Sequence, residues 1–205
     1  MNNYIVINNQ RIELTEEQVK QIIAAQNPAS PTIQLSEVAA GDTFKIGEHE
    51  FIVLEQSGDT TAIIRKDLLP NQKFGNTNNF DGSNVGQTCY DFAAEIATII
   101  GEENIVEHTV DLTSDDGLKD YGTIKSRCSL LTADLYRRYV EILDKFKPND
   151  WWWLATPHST KRHENDSWVR CVAPSGFILD YRYLYSSDNG VRPFCILKST
   201  IFVSK

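Results

Sequence analysis

Asn149-Asp150-Trp151-Trp152-Trp153-Leu154-Ala155-Thr156-Pro157 holds three of the four tryptophans in a chain of 205 residues. With Trp168, every indole falls in the last third of the sequence. Indoles this dense are buried in a core or spent on a binding surface, because a contiguous exposed apolar patch invites association. Further on, Gly190-Val191-Arg192-Pro193-Phe194-Cys195-Ile196-Leu197 is a glycine turn opening into an apolar strand. The two segments together predict that Trp152 and Leu154 share a core with the strand after Pro193.

Outward from these segments the chain reads as alternating short strands and two helices. Strands are predicted at 152–155, 167–172, 177–181 and 193–197 from their apolar and β-branched content. A helix capped by Thr132 is predicted through Phe146, with Leu135, Tyr139, Ile142, Leu143 and Phe146 facing inward and Pro148 stopping it. A second helix, capped by Ser83 or Asn84, buries Cys89, Phe92, Ala93, Ile96 and Ile100 before Gly101 ends it. Thr43-Phe44-Lys45-Ile46, Glu50-Phe51-Ile52-Val53-Leu54 and Thr60-Thr61-Ala62-Ile63-Ile64-Arg65 form a meander, with turns at 47–49 and 57–59. Residues 70–84 read as a surface loop, 105–112 as a strand and 113–117 as a turn.

The first residues form a separate small unit. Tyr4-Ile5-Val6-Ile7 and Ile12-Glu13-Leu14 flank a short hairpin turn, and Thr15-Glu16-Glu17-Gln18 is a capping box ahead of the helical stripe Val19, Ile22, Ile23. Asn27-Pro28-Ala29-Ser30-Pro31 is a linker. The division is therefore a hairpin-helix unit at 1–27 and a main α+β domain at 33–205.

A net charge of −8 and a pI near 5.0 argue against direct nucleic-acid binding, which needs clustered Lys and Arg. The same charge suits ordinary solubility or a basic protein partner. No stretch reaches the roughly 20 apolar residues of a membrane helix. The start lacks the basic-then-apolar pattern of a secretory leader, so synthesis in a host cytoplasm is expected.

No phosphate-binding glycine loop and no nucleophile elbow occur. Cys89, Cys128, Cys171 and Cys195 are widely spaced and read as small buried hydrophobes, with a Cys171–Cys195 disulfide as the alternative. His158, His163 and Glu164 share a polar segment that reads as a solvated loop before a metal site. Asp111, Asp115, Asp116 and Asp120 offer oxygen ligands without the spacing of a calcium loop. No catalytic residue, metal or cofactor is assigned.

The chemistry concentrates in an aromatic and basic cluster. Trp168, Phe177, Tyr181, Tyr183 and Tyr185 surround Arg170, Arg182 and Arg192. Tyr, Trp and Arg give large contact area with few rotatable bonds, the usual anchors of interfaces. The three tyrosines share one parity, so an extended segment points them one way and Arg182 the other. Trp168, Arg170, Tyr181, Arg182, Tyr183 and Tyr185 are the candidate ligand-binding residues, weighed against plain packing of the alternate positions.

The end motifs Trp152-Trp153-Leu154-Ala155-Thr156-Pro157 and Gly190-Val191-Arg192-Pro193 resemble those of an uncharacterised domain family frequent in Firmicutes and their phages and prophages. Gly41-Asp42-Thr43-Phe44-Lys45-Ile46-Gly47, Phe51-Ile52-Val53-Leu54, Ile63-Ile64-Arg65-Lys66-Asp67-Leu68-Leu69 and Ser129-Leu130-Leu131-Thr132 resemble its earlier features, so the resemblance covers about 38–198. That family is similar to the C-type-lectin-like fold of formylglycine-generating enzymes and of the variable proteins of diversity-generating retroelements. Asp166-Ser167-Trp168-Val169-Arg170, then Gly190-Val191-Arg192, resembles the ending of that fold.

The resemblance implies a C-type-lectin-like α+β domain whose ligand surface lies at 159–188. Ala155-Thr156 departs from the family's Arg-Ser and removes a charge that would anchor a loop. Cys171 and Cys195 do not fall on the active cysteine pair of the enzyme branch, so oxidoreductase chemistry is the least favoured reading. The N-terminal unit resembles a leader of small clostridial phage proteins. The expectation is a non-enzymatic phage or prophage binding protein that engages a protein or other macromolecule, in the host cytoplasm or on a virion. The alternative is a counter-defence, anti-CRISPR-like inhibitor that offers its acidic surface to a host nuclease.

Overall fold

The computed structural model describes residues 32–205, residue 15 and the backbone of 4–7 and 10–13; residues 180 and 181 are described by their backbone alone. β1 (Tyr4–Ile7) and β2 (Gln10–Glu13) pair antiparallel, with Ile5 opposite Ile12, as the hairpin signal predicts. The helix expected after Thr15 lies outside the described residues. β3 (Thr32–Gln34) precedes the meander of β4 (Thr43–Ile46), β5 (His49–Ser57) and β6 (Thr60–Arg65).

Helix α1 (Asn84–Ile100) begins where its sequence says: Ser83 Oγ accepts the Gly86 N–H at 3.0 Å, and Gly101 at φ 87° ends it. The stretch expected to be one strand divides at Glu107 into β7 (Ile105–Val106) and β8 (His108–Asp111). β9 (Thr123–Ser126) and β10 (Cys128–Ser129) follow, neither marked by a strand-like pattern in the sequence. Helix α2 (Ala133–Leu143) is capped by Thr132, whose Oγ1 accepts the Leu135 N–H, and tightens into a 3-10 turn at Asp144–Phe146. The remaining strands are β11 (Trp151–Pro157), β12 (Trp168–Val172), β13 (Ile178–Tyr183), β14 (Asn189–Gly190), β15 (Phe194–Lys198) and β16 (Phe202–Ser204).

The class is α+β, with two main helices among the described residues. The larger sheet runs β10-β15-β6-β5-β4-β16-β3, with β7 also on β15; a four-stranded sheet runs β13-β12-β11-β14; β8 and β9 form a separate ribbon. Side-chain alternation splits the interior into two cores. Phe51, Val53, Ile63, Trp153 and Ala155 pack with Cys89, Phe92 and Ile96 of α1. Ile52, Leu54, Ile64, Trp152 and Leu154 pack with Tyr136, Tyr139 and Leu143 of α2, and with Phe194 of β15. The triple-tryptophan strand β11 is thus buried on both faces, and Trp152 and Leu154 join the strand after Pro193 as expected. Removing about 200 Å² of indole from water, at about 25 cal/mol per Å², stabilises by ~5 kcal/mol as an upper bound.

α2 buries a face rotated from the predicted one. Ala133 and Tyr136 are buried, whereas Leu135, Ile142 and Phe146 are half-buried at the margin. Tyr136 goes inward because its hydroxyl finds a partner there, donating to the Gly176 carbonyl. Ala155 is fully buried, so a side chain as long as arginine has no room at this position. Thr156 Oγ1 accepts the Ala133 N–H at 2.9 Å and helps start α2.

The Gly190-Val191-Arg192-Pro193 segment is a structural clamp. Gly190 lies beside Trp152 in a parallel pair, and a Cβ there would meet Leu68 Cδ1 at 2.6 Å. Arg192, read from sequence as part of the aromatic cluster, is 1% exposed. Its guanidinium donates to the carbonyls of Arg65 (2.9 Å), Lys66 (3.0 Å) and Phe146 (3.0 Å). One side chain therefore ties the end of β6 to the turn after α2.

Candidate functional site

The aromatic segment lies on β13, an edge strand of the four-stranded sheet. Trp168 of β12 stands opposite Tyr183, with ring centroids 5.3 Å apart. Tyr183 and Tyr185 meet edge to face at 5.1 Å. Between them Leu184 is buried; its N–H donates to Ser167 O at 2.9 Å and its carbonyl accepts the Phe74 N–H at 2.8 Å. That anchor turns both tyrosines outward, 43% and 47% exposed. Shared parity holds at these two positions, although the strand has ended at Tyr183. The side chain of Tyr181, third member of the expected set, lies outside the described residues.

Arg182 takes the opposite face. It pairs with Asp188, donates from Nε to Asn189 Oδ1 at 3.2 Å, and lies 5.4 Å from the Trp151 ring centroid. Trp151 in turn meets the exposed Phe177 edge to face at 5.8 Å. The edge of the sheet thus carries aromatics on both sides. Trp151 as the support of Arg182 was missed from sequence, which places only Trp152 of the triplet in the core.

Arg170 is not part of this exposed set. It is 8% exposed and pairs with Asp115. That ion pair belongs to a polar base in which the 113–122 loop docks on residues 157–170. Asp116 accepts from Ser159 Oγ (2.6 Å) and Ser114 Oγ, and contacts His163 Nδ1 at 2.9 Å. Burial alone would raise the Asp116 carboxyl; hydrogen bonds from Ser114, Ser159, His163 and the Leu118 N–H outweigh it and hold the group well below the usual carboxylate range. Asp120 accepts from Thr160 Oγ1 (2.6 Å) and pairs with Arg162. Ser159 and Thr160 are buried, so the expected surface at 159–188 divides into a docked base and an exposed tip at 183–188.

The acidic residues read as possible oxygen ligands are therefore engaged by hydroxyls and guanidinia, and Asp111 accepts the Thr113 N–H and Oγ1–H. Among the described residues no group of three or more His, Cys, Asp and Glu is arranged to hold a metal ion. All four cysteines are free and buried. Cys171 lies on β12, whereas Cys195 on β15 stands opposite Cys128 of β10. Burial pushes the Cys171 thiol up to about 11 and the Cys128 thiol well above its usual value, so neither supplies a thiolate at neutral pH.

Comparison with family models, curated proteins and solved structures finds no match to the chain. No helix among the described residues is long and apolar enough to cross a membrane.

Proposed function

We propose that the chain is a non-enzymatic binding protein of phage or prophage type, built on a C-type-lectin-like domain, that presents Trp168, Tyr183 and Tyr185 to a macromolecular partner. The observation that carries this reading is the contiguous ring series at the sheet edge, with both tyrosines more than two-fifths exposed and held outward by buried Leu184. Pre-set aromatics lose little conformational entropy on binding, so they suit hot-spot positions. Arg182, held over Trp151 and paired with Asp188, places a directional polar group on the opposite face of the same edge strand.

The test is capture from a Firmicutes host lysate with the wild type and with Tyr183→Ala/Tyr185→Ala. The reading requires a partner held by the wild type and lost, by about a hundredfold in affinity, from a double variant of unchanged melting temperature. A partner held equally by both forms removes it. If that binding also collapses as salt rises through roughly 0.1 to 0.5 M, the acidic-surface inhibitor replaces it, since the net charge of −8 then carries the contact.

A further inference from the structure

A groove lies between α1 and β9. α1 packs on β10, while β9 diverges from the helix and leaves two adjoining cavities. One, of about 400 Å³, runs past Ala94 and Ala97; the other, of about 730 Å³, runs past Ser83 and Gln87. They share Tyr90, Lys125 and Ser126, and Tyr90 is 68% exposed.

The β9 wall is an open strand edge. Among the described residues β9 pairs only with β8. The Leu112 N–H bonds the Gly122 carbonyl at 3.0 Å, which makes Asp111 and Thr123 a non-hydrogen-bonded pair. By alternation, the N–H and C=O groups of Thr123 and Lys125 point away from β8. Lys125 lines both cavities and no residue of β8 lines either, so its outward N–H and C=O face the groove. Unpaired edge groups of this kind are a template for an added strand. Exposed Ala94 leaves room on the helix side for the side chains of such a strand.

One end of the groove is acidic. The smaller cavity continues into a third, of about 440 Å³, where Glu102, Glu103 and Glu107 face the single guanidinium of Arg127. Glu102 binds that guanidinium at 2.7 Å. The last turn of α1 carries no basic residue, so its terminal carbonyls add further negative partial charge.

We infer that this groove binds an extended peptide segment of a partner protein, added as a strand to the edge of β9, with a Lys or Arg side chain in the acidic end. It is a site separate from the aromatic tip. The test is selection of a displayed library of random linear peptides of strand length on the full chain. Enriched sequences combine β-branched residues with Lys or Arg. Their affinity falls about tenfold in Lys125→Pro, which removes an outward N–H without touching the ladder to β8, and in Ala94→Trp, which fills the groove from an exposed helix position. Affinity is retained in Lys125→Ala and in Tyr183→Ala/Tyr185→Ala. Failure to enrich, enrichment of acidic peptides, or binding that survives Ala94→Trp overturns the inference. So does a self-association of the chain that Lys125→Pro abolishes, since the occupant is then a second copy.

Discussion

The guanidinium of Arg192 lies 5.2 Å from the centroid of the Trp152 ring. This contact joins the two end motifs of the chain in space. Burial pushes the Arg192 guanidinium down to about 10, still charged at neutral pH, and its counterpart is a ring face and three carbonyls. A charge so placed is strongly specified, because backbone carbonyls without it would be left buried and unpaired.

Arg192→Met should therefore cost about 3–5 kcal/mol, by orphaning three carbonyls in exchange for a side chain of similar bulk. Arg192→Lys should lose less, since the ammonium keeps the charge but not the fork. Denaturant midpoints of the two variants check the order; equal midpoints would remove the bidentate argument.

Acid should weaken the fold through His108. Burial pushes its imidazole down to about 4, against 6.5 when unfolded, so the unfolded chain takes up the proton first. The stability that depends on a neutral imidazole is complete above pH 6.5 and is lost as the pH falls toward 4. The full window amounts to ~3 kcal/mol. Urea unfolding of His108→Gln should show a flatter pH dependence than the wild type across that range.

Asp116 acts at lower pH and with the same sign. Its folded carboxyl sits below the unfolded value of 3.8, so its contribution is present above that value and disappears as the pH falls further. Asp116→Asn should cost about 1–3 kcal/mol at neutral pH, because Ser114, Ser159 and His163 lose a charged acceptor. Limited proteolysis should then cut within 113–122 sooner than in the wild type.

The thiols should be silent in the native state. With all four buried, and burial raising Cys171 and Cys128, a disulfide-exchange reagent at neutral pH should label none of them until denaturant is added, and then all four. Rapid native labelling of Cys171 or Cys195 would reopen the oxidoreductase reading.

Local signals carried most of the secondary structure. Ser83 and Thr132 cap the helices they were expected to cap, and the meander of β4, β5 and β6 follows its turn residues. Strands β9 and β10 carry no such signal: Thr-Ile-Lys-Ser and Cys-Ser are ordered by what they pair with. The candidate site was legible in part. Tyr183 and Tyr185 are exposed as their parity suggests, whereas Arg170 and Arg182 look alike in sequence and differ in the fold. What turns Arg170 inward is Asp115, 55 residues earlier, and no local pattern reveals such a partner.

The two-faced burial of β11 divides the chain's freedom to evolve. A substitution at Trp152 or Trp153 has to suit one helix without displacing the neighbour that serves the other, so drift there is confined. Apart from Leu184, the tip at 183–188 is under no such double constraint. Lineages can rewrite its exposed side chains while inheriting the same scaffold unchanged.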